Sequence, residues 1–175
     1  MKSVCVLLEE LVEDTEFLYP YMRFKEEGFE VISVAPESKD YRGKKGMIFR
    51  PDATFRDVNG RLFDCLFVPG GYAPDKLRRY PEVLSMVRKH LQNEKLVACV
   101  CHGPWVLISA KVVKGKKVTG FHAIKDDLEN AGAVYTGNPV EEDGNLITAT
   151  DPLSMLQMMK LVLVRLTQIE SRSTP

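Results

Sequence analysis

Residues Leu96–Val100 read LVACV, five apolar side chains in succession. An unbroken apolar run of that length fits a strand covered on both faces, and therefore the middle of a parallel sheet. It runs directly into Cys101-His102-Gly103-Pro104. Proline is favoured in the first turn of a helix, because its missing N–H has no partner there anyway. The spacing thus predicts a strand, a sharp turn at Cys101 and a helix over 103–110. In an open α/β sheet such a turn lies at the carboxyl edge of the strands, where ligands gather.

The rest of the chain agrees with that frame. Strands are expected over 3–8, 30–35, 62–68, 118–121, 133–136 and 146–150. Between them lie helical patterns: 14–27, stopped by Gly28; 81–93, with Val83, Leu84, Val87 and Leu91 at helical spacing; 124–131; and a closing helix over 152–169. Residues 36–59 mix glycine, proline and charge, and read as an irregular excursion with one or two short strands. Strands separated by helices imply right-handed crossovers. The expected fold is a three-layer α/β/α sandwich with a mostly parallel central sheet, formed by one domain over 1–170 with a loose tail at 171–175.

Composition excludes some functions. Lys+Arg and Asp+Glu both number 24, so the chain lacks the basic excess of a nucleic-acid footprint. No stretch approaches the ~20 apolar residues of a membrane span, and residues 1–14 do not resemble a secretion signal. The expected location is cytoplasmic. A near-neutral surface is compatible with self-association. Cys5, Cys65 and Cys99 lie in apolar runs, where a thiol acts as a small hydrophobe. Cys99 and Cys101 form C-x-C without a second pair at zinc-ligand spacing. Neither a disulfide nor a metal site is expected.

Cys101 is the residue with chemistry to offer. At a strand-to-helix elbow a thiol faces a helix N-terminus, which lowers the pKa of a free cysteine from its usual ~8.5. Backbone N–H groups around His102 are spare donors for an oxyanion. Gly70-Gly71, after the strand at 62–68, can add a second donor. His102 is the candidate base, with Asp75 as the carboxylate to orient its ring, although neighbours in sequence need not face each other. Glu13 lies in the acidic group Glu9, Glu10, Glu13, Asp14, Glu16. An acid there either caps the helix or, close to a thiolate, stays partly protonated and donates to the sulfur.

The run 98–104, ACVCHGP, with Leu107-Ile108-Ser109-Ala110 after it, resembles the nucleophile motif of the PfpI intracellular protease/amidase family, within the DJ-type superfamily. Residues 13–20 (EDTEFLYP), 68–75 (VPGGYAPD) and 124–133 are similar to three further motifs of that family, in the same order. The resemblance implies a flavodoxin-like, class I glutamine amidotransferase-like fold without cofactor. It implies Cys101 as nucleophile with His102, Glu13 hydrogen-bonded to the sulfur, and Gly71 and His102 as oxyanion donors. Asp75 would reach the imidazole from a neighbouring subunit of a homodimer or homohexamer. Two positions depart from the family: Asp75 where many relatives carry Glu, and Phe121-His122 where relatives often have Tyr or Trp then Pro. Phe121 and His122 are therefore expected at the pocket. Trp105 reads as packing.

The activities implied are cofactor-independent glyoxalase or deglycase chemistry on reactive dicarbonyls, or hydrolysis of a peptide or amide, through the Cys101 thiolate. The alternative is a non-enzymatic oxidative-stress sensor or chaperone built on the same oxidisable thiol. No His-x-Glu pair follows near the C-terminus, where Thr150-Asp151-Pro152 stands instead, which argues against amidotransferase activity.

Overall fold

A computed structural model of the chain describes residues 1–168; the expected tail at 171–175 lies outside them. The elements are β1 (Ser3–Leu7), α1 (Asp14–Glu26), β2 (Glu30–Ala35), β3 (Tyr41–Arg42), β4 (Ile48–Phe49), β5 (Ala53–Thr54), β6 (Cys65–Val68), α2 (Ala73–Leu77) and α3 (Pro81–Gln92). They continue with β7 (Leu96–Val100), α4 (Pro104–Ser109), β8 (Lys117–Val118), a 3₁₀ turn (His122–Ile124) and α5 (Lys125–Asn130). The last are β9 (Val134–Tyr135), β10 (Val140–Asp143), β11 (Leu146–Ala149) and α6 (Met155–Gln168).

The main sheet has the order β10-β11-β7-β6-β1-β2-β5, parallel except for β10 at one edge. From β1 the chain moves outward to β2 and β5, then returns to place β6 on the other side of β1. That reversal is the kind of switch point where α/β sheets open a crevice. β6 and β7 are buried at every residue, as continuous apolar strands require. The core joins both sheet faces to the helices in one hydrophobic cluster.

Several boundaries moved, each for a hydrogen-bonding reason. The strand expected over 62–68 begins only at Cys65, because the Phe63 N–H donates to His90 Nε2 (3.0 Å). The strand over 118–121 ends at Val118. The Thr119 N–H turns to Thr148 Oγ1 (2.9 Å) and the Phe121 N–H to the Cys101 carbonyl (2.9 Å). The closing helix starts at Met155, after Asp151 Oδ1 accepts the Ser154 N–H (3.0 Å) as a helix-start cap. The excursion after β2 holds three short strands instead of one or two. α2 and β10 are additional.

His90 is fully buried on α3, with Nδ1 2.7 Å from the Met86 carbonyl and Nε2 accepting from Phe63. Both contacts together require the neutral ring protonated at Nδ1, and burial holds its pKa below the usual imidazole value. A depressed histidine pKa contributes stability above the unfolded-state pKa, near ~6.5, and loses it as pH falls toward the folded value. Substituting His90→Leu should cost about 1–3 kcal/mol at pH 7.5, by orphaning the Phe63 N–H. It should also flatten the loss of stability between pH 7 and pH 5, as read from urea midpoints at each pH.

Candidate active site

The strand β7 delivers Cys101 to the carboxyl edge, and Cys101 itself adopts φ +60°, left-handed backbone that non-glycine residues rarely take. The strain is held by pairing on both sides: its N–H donates to the Ala149 carbonyl (2.9 Å) and its carbonyl accepts from Phe121 (2.9 Å). Gly103 lets the turn close, because a Cβ there would lie 2.7 Å from the Val68 carbonyl oxygen and 2.9 Å from that of Val100. Cys101 is 9% exposed. It opens on a cleft of about 380 Å³ lined by Glu13, Glu16, Lys44, Gly71, Tyr72, His102, Trp105, Phe121 and Pro152.

His102 does face the sulfur: Sγ lies 3.3 Å from Nδ1. Its ring is packed between aromatics, stacked on Phe121 (4.9 Å between centroids) and edge-on to Trp105 (5.1 Å). Burial, reinforced by Lys44 and His122, keeps its pKa below the usual imidazole value. The ring is therefore neutral at pH 7 and can accept a proton.

The acid against the sulfur is Glu16, which corrects the expectation for Glu13. Glu16 is fully buried, and its Oε2 accepts the Gly70 N–H at 2.7 Å. Its charge bears on the Cys101 thiol, and its Oε1 has no hydrogen-bond partner. Burial pushes the Glu16 carboxyl up to about 7. Glu13, one turn earlier on the rim, instead binds Lys44 Nζ at 3.0 Å. A sequence signal for this existed: Glu16, Pro20 and Phe24 form a buried i, i+4, i+8 stripe on α1, so Glu16 is the acid turned inward.

The glycine turn divides the same way. The Gly70 N–H is taken by Glu16, so Gly70 is not free to serve an oxyanion. The Gly71 N–H, like that of His102, is aimed at the Cys101 sulfur. Gly71 has φ +76°, and a Cβ there would lie 2.3 Å from the Glu13 nitrogen. Against the expectation of a lowered thiol pKa, burial pushes Cys101 up to about 12, with the Glu16 charge adding to it. The two backbone donors work in the opposite direction. The elbow supplies donors, but it also removes water.

Two other expected residues stand elsewhere. Asp75 is exposed on α2 and pairs with Arg79 (3.2 Å), so within the chain it does not touch the imidazole. The ring is oriented by aromatic packing. His122 is exposed behind Phe121, with ring centroids 4.3 Å apart, and does not line the cleft. Phe121 does. Trp105, expected as packing, also lines the cleft and donates from Nε1 to Asp127 (2.9 Å). Lys44 and Tyr72 went unnoticed in the sequence, because the hairpin that carries Lys44 has no apolar pattern to reveal it.

Among the described residues no group of three or more His, Cys, Asp or Glu side chains is arranged to hold a metal. No helix there is long and apolar enough to cross a membrane. All four cysteines are free thiols.

A cysteine on a strained elbow, above a mostly parallel sheet flanked by helices, defines a protein of the class I glutamine amidotransferase-like fold. Within it, the chain belongs to the DJ-1/PfpI family, whose model matches residues 2–165. It is similar to Deglycase PH1704 of Pyrococcus horikoshii, 42% identical over 148 residues, covering 85% of this chain and 89% of the relative. It is also similar to General stress protein 18 of Bacillus subtilis, 38% identical over 154 residues, covering 86% and 90%. A solved two-domain protein from Anabaena variabilis, containing DJ-1/ThiJ/PfpI-like and ferritin-like domains, superposes with a TM-score of 0.91 at 41% identity. The match covers 95% of this chain and 48% of that one.

A carboxyl whose folded pKa is raised adds stability only while protonated, and that contribution is lost as pH rises through the folded value. For Glu16 the loss therefore accrues as pH rises from the ordinary carboxyl value of 4.5 to about 7, and above that the penalty of the buried charge is fully present. Glu16→Gln keeps the shape without the charge. It should raise stability on the order of 2 kcal/mol at pH 8 and give no such gain at pH 4.5, measured by urea denaturation.

Proposed function

We propose that this chain is a cysteine enzyme acting on small reactive dicarbonyls, of the glyoxalase or deglycase type, with Cys101 as nucleophile. The observation that carries the reading is the 3.3 Å approach of Cys101 Sγ to a neutral His102, beside Glu16, inside a partly enclosed cleft. Relatives bearing the name deglycase support the class.

The chemistry follows from the donors. As sulfur adds to the aldehyde carbon of a 2-oxoaldehyde, the thiol proton passes to His102 Nδ1. The aldehyde oxygen becomes an oxyanion, which the Gly71 and His102 N–H groups would receive. Glu16 or His102 then moves the proton from C1 to C2, turning the hemithioacetal into a thioester of a 2-hydroxy acid. C1 is oxidised and C2 reduced, so no external redox partner is needed. Water releases the hydroxy acid and restores the thiol. The same first step serves a glycated amine or thiol once the free aldehyde is exposed.

Peptide or amide hydrolysis through the same thiol is the second enzymatic reading, and the cleft's size favours small substrates over extended ones. The sensor alternative draws on the same sulfur and on the stress-protein name of one relative. Asp75, exposed and paired with Arg79 just beyond the end of α2, would serve another subunit's imidazole in a homodimer or homohexamer.

Wild type and Cys101→Ser are to be compared on methylglyoxal and on a fluorogenic peptide. Methylglyoxal turnover is expected to fall at least 100-fold in the variant, and His102→Gln to cost roughly 10²-fold in kcat. Equal rates in wild type and Cys101→Ser would refute the enzyme reading. A large loss confined to the peptide would assign the thiol to hydrolysis.

A further inference from the structure

The mouth of the cleft carries a built ion pair that the chemistry above does not use. Lys44 sits between β3 and β4, on a hairpin fastened to the start of α1. Asp14, 3% exposed, accepts the Lys45 N–H at 2.7 Å and the Met47 N–H at 3.0 Å. Lys44's own N–H donates to the Val12 carbonyl at 2.8 Å. Residue 43 has to be glycine, since a Cβ there would lie 2.4 Å from Asp14 Oδ1. These contacts fix where the lysine leaves the backbone. Its ammonium meets Glu13 Oε2 at 3.0 Å and lies 5.3 Å from the centre of the Tyr72 ring. Glu13 and Lys44 both line the cleft that opens on Cys101.

A lone lysine here would draw in anions, and a lone glutamate would repel them. Held together they leave the entrance neutral, with the Lys44 ammonium already engaged. We propose that the Glu13–Lys44 pair is a charge filter that makes the site accept uncharged 2-oxoaldehydes and discriminate against those carrying a carboxylate. This rests on the reading of Cys101 as the nucleophile, and it assigns selectivity to two residues outside the bond-making step. Specificity of this kind is a difference between two affinities, so each half of the pair should push it in an opposite direction.

The test uses matched compounds. 2-Oxopentanal and 4,5-dioxopentanoate share the 2-oxoaldehyde group and chain length, and differ in a terminal carboxylate. Relative to wild type, Glu13→Gln releases Lys44 and should shift the kcat/KM ratio toward the anion by roughly fivefold. Lys44→Gln leaves Glu13 uncompensated and should shift it away by a similar factor. The double substitution should return the ratio to within about twofold of wild type. Loss of hairpin structure would move both single variants the same way, so opposite signs with restoration are the diagnostic result. Alkylation of Cys101 by iodoacetamide and by iodoacetate, read by mass spectrometry, measures the same ratio without turnover. It therefore stands even if the dicarbonyl reading fails on Cys101→Ser. Shifts of the same sign in both single variants, or an unchanged alkylation ratio, overturn the filter.

Discussion

The site depends on one buried contact: the Glu16 carboxylate lying between the Gly70 N–H and the Cys101 thiol. It ties together three segments remote in sequence, the first helix, the turn after β6 and the elbow after β7. The fit is close enough to dictate the residue at position 70, where a Cβ would lie 2.5 Å from Glu16 Oε2 and 2.8 Å from the Cys101 Cβ. Burying a carboxyl costs free energy unless it is protonated or fully hydrogen-bonded. Here only one of its oxygens has an N–H. Placing that cost next to a left-handed cysteine is the kind of local conflict proteins retain where function requires it.

Asp14 and Glu16, two residues apart on the same helical turn, divide the work. Asp14 is saturated by backbone N–H groups of the hairpin and acts as a rigid fastener. Glu16 is left under-satisfied and available for proton exchange. Both are almost wholly buried, so exposure does not distinguish their roles; their hydrogen-bond complement does. The consequence is that the hairpin and Cys101 are referenced to a single rigid element, α1, which keeps the mouth of the cleft in register with its floor.

The sheet was legible because apolar runs such as LVACV have one physical use, and α1 and α3 because their stripes keep helical spacing. α2 was not: five residues between a glycine turn and Arg78 are too few to show a period. Nor was β10, whose VEED sequence pairs antiparallel with β11 at the edge and never enters the core. At the site, Cys101, His102 and Gly71 followed from the elbow, while the choice among five clustered acids required knowing the phase of α1. Lys44 is set by a backbone that Asp14 holds from thirty residues away, a relation local pattern cannot carry. Burial, which lifts the thiol pKa, was equally invisible in a motif that displays only the helix N-terminus.

The raised Glu16 and Cys101 values have one meaning when taken together. Two acidic groups in contact cannot both ionise, so the pair keeps one proton near neutral pH. If that proton is on sulfur, Glu16 Oε1 is a buried acceptor without a donor. If it is on Oε1, the carboxylic acid can donate to the thiolate, which also receives the Gly71 and His102 N–H groups. Oε2 meanwhile keeps its bond from Gly70. The second arrangement satisfies every polar atom of the pair, so hydrogen bonding favours the thiolate that burial opposes. The balance between those two effects sets the reactivity of Cys101. It is struck by Glu16, a residue that takes no part in the bond being made.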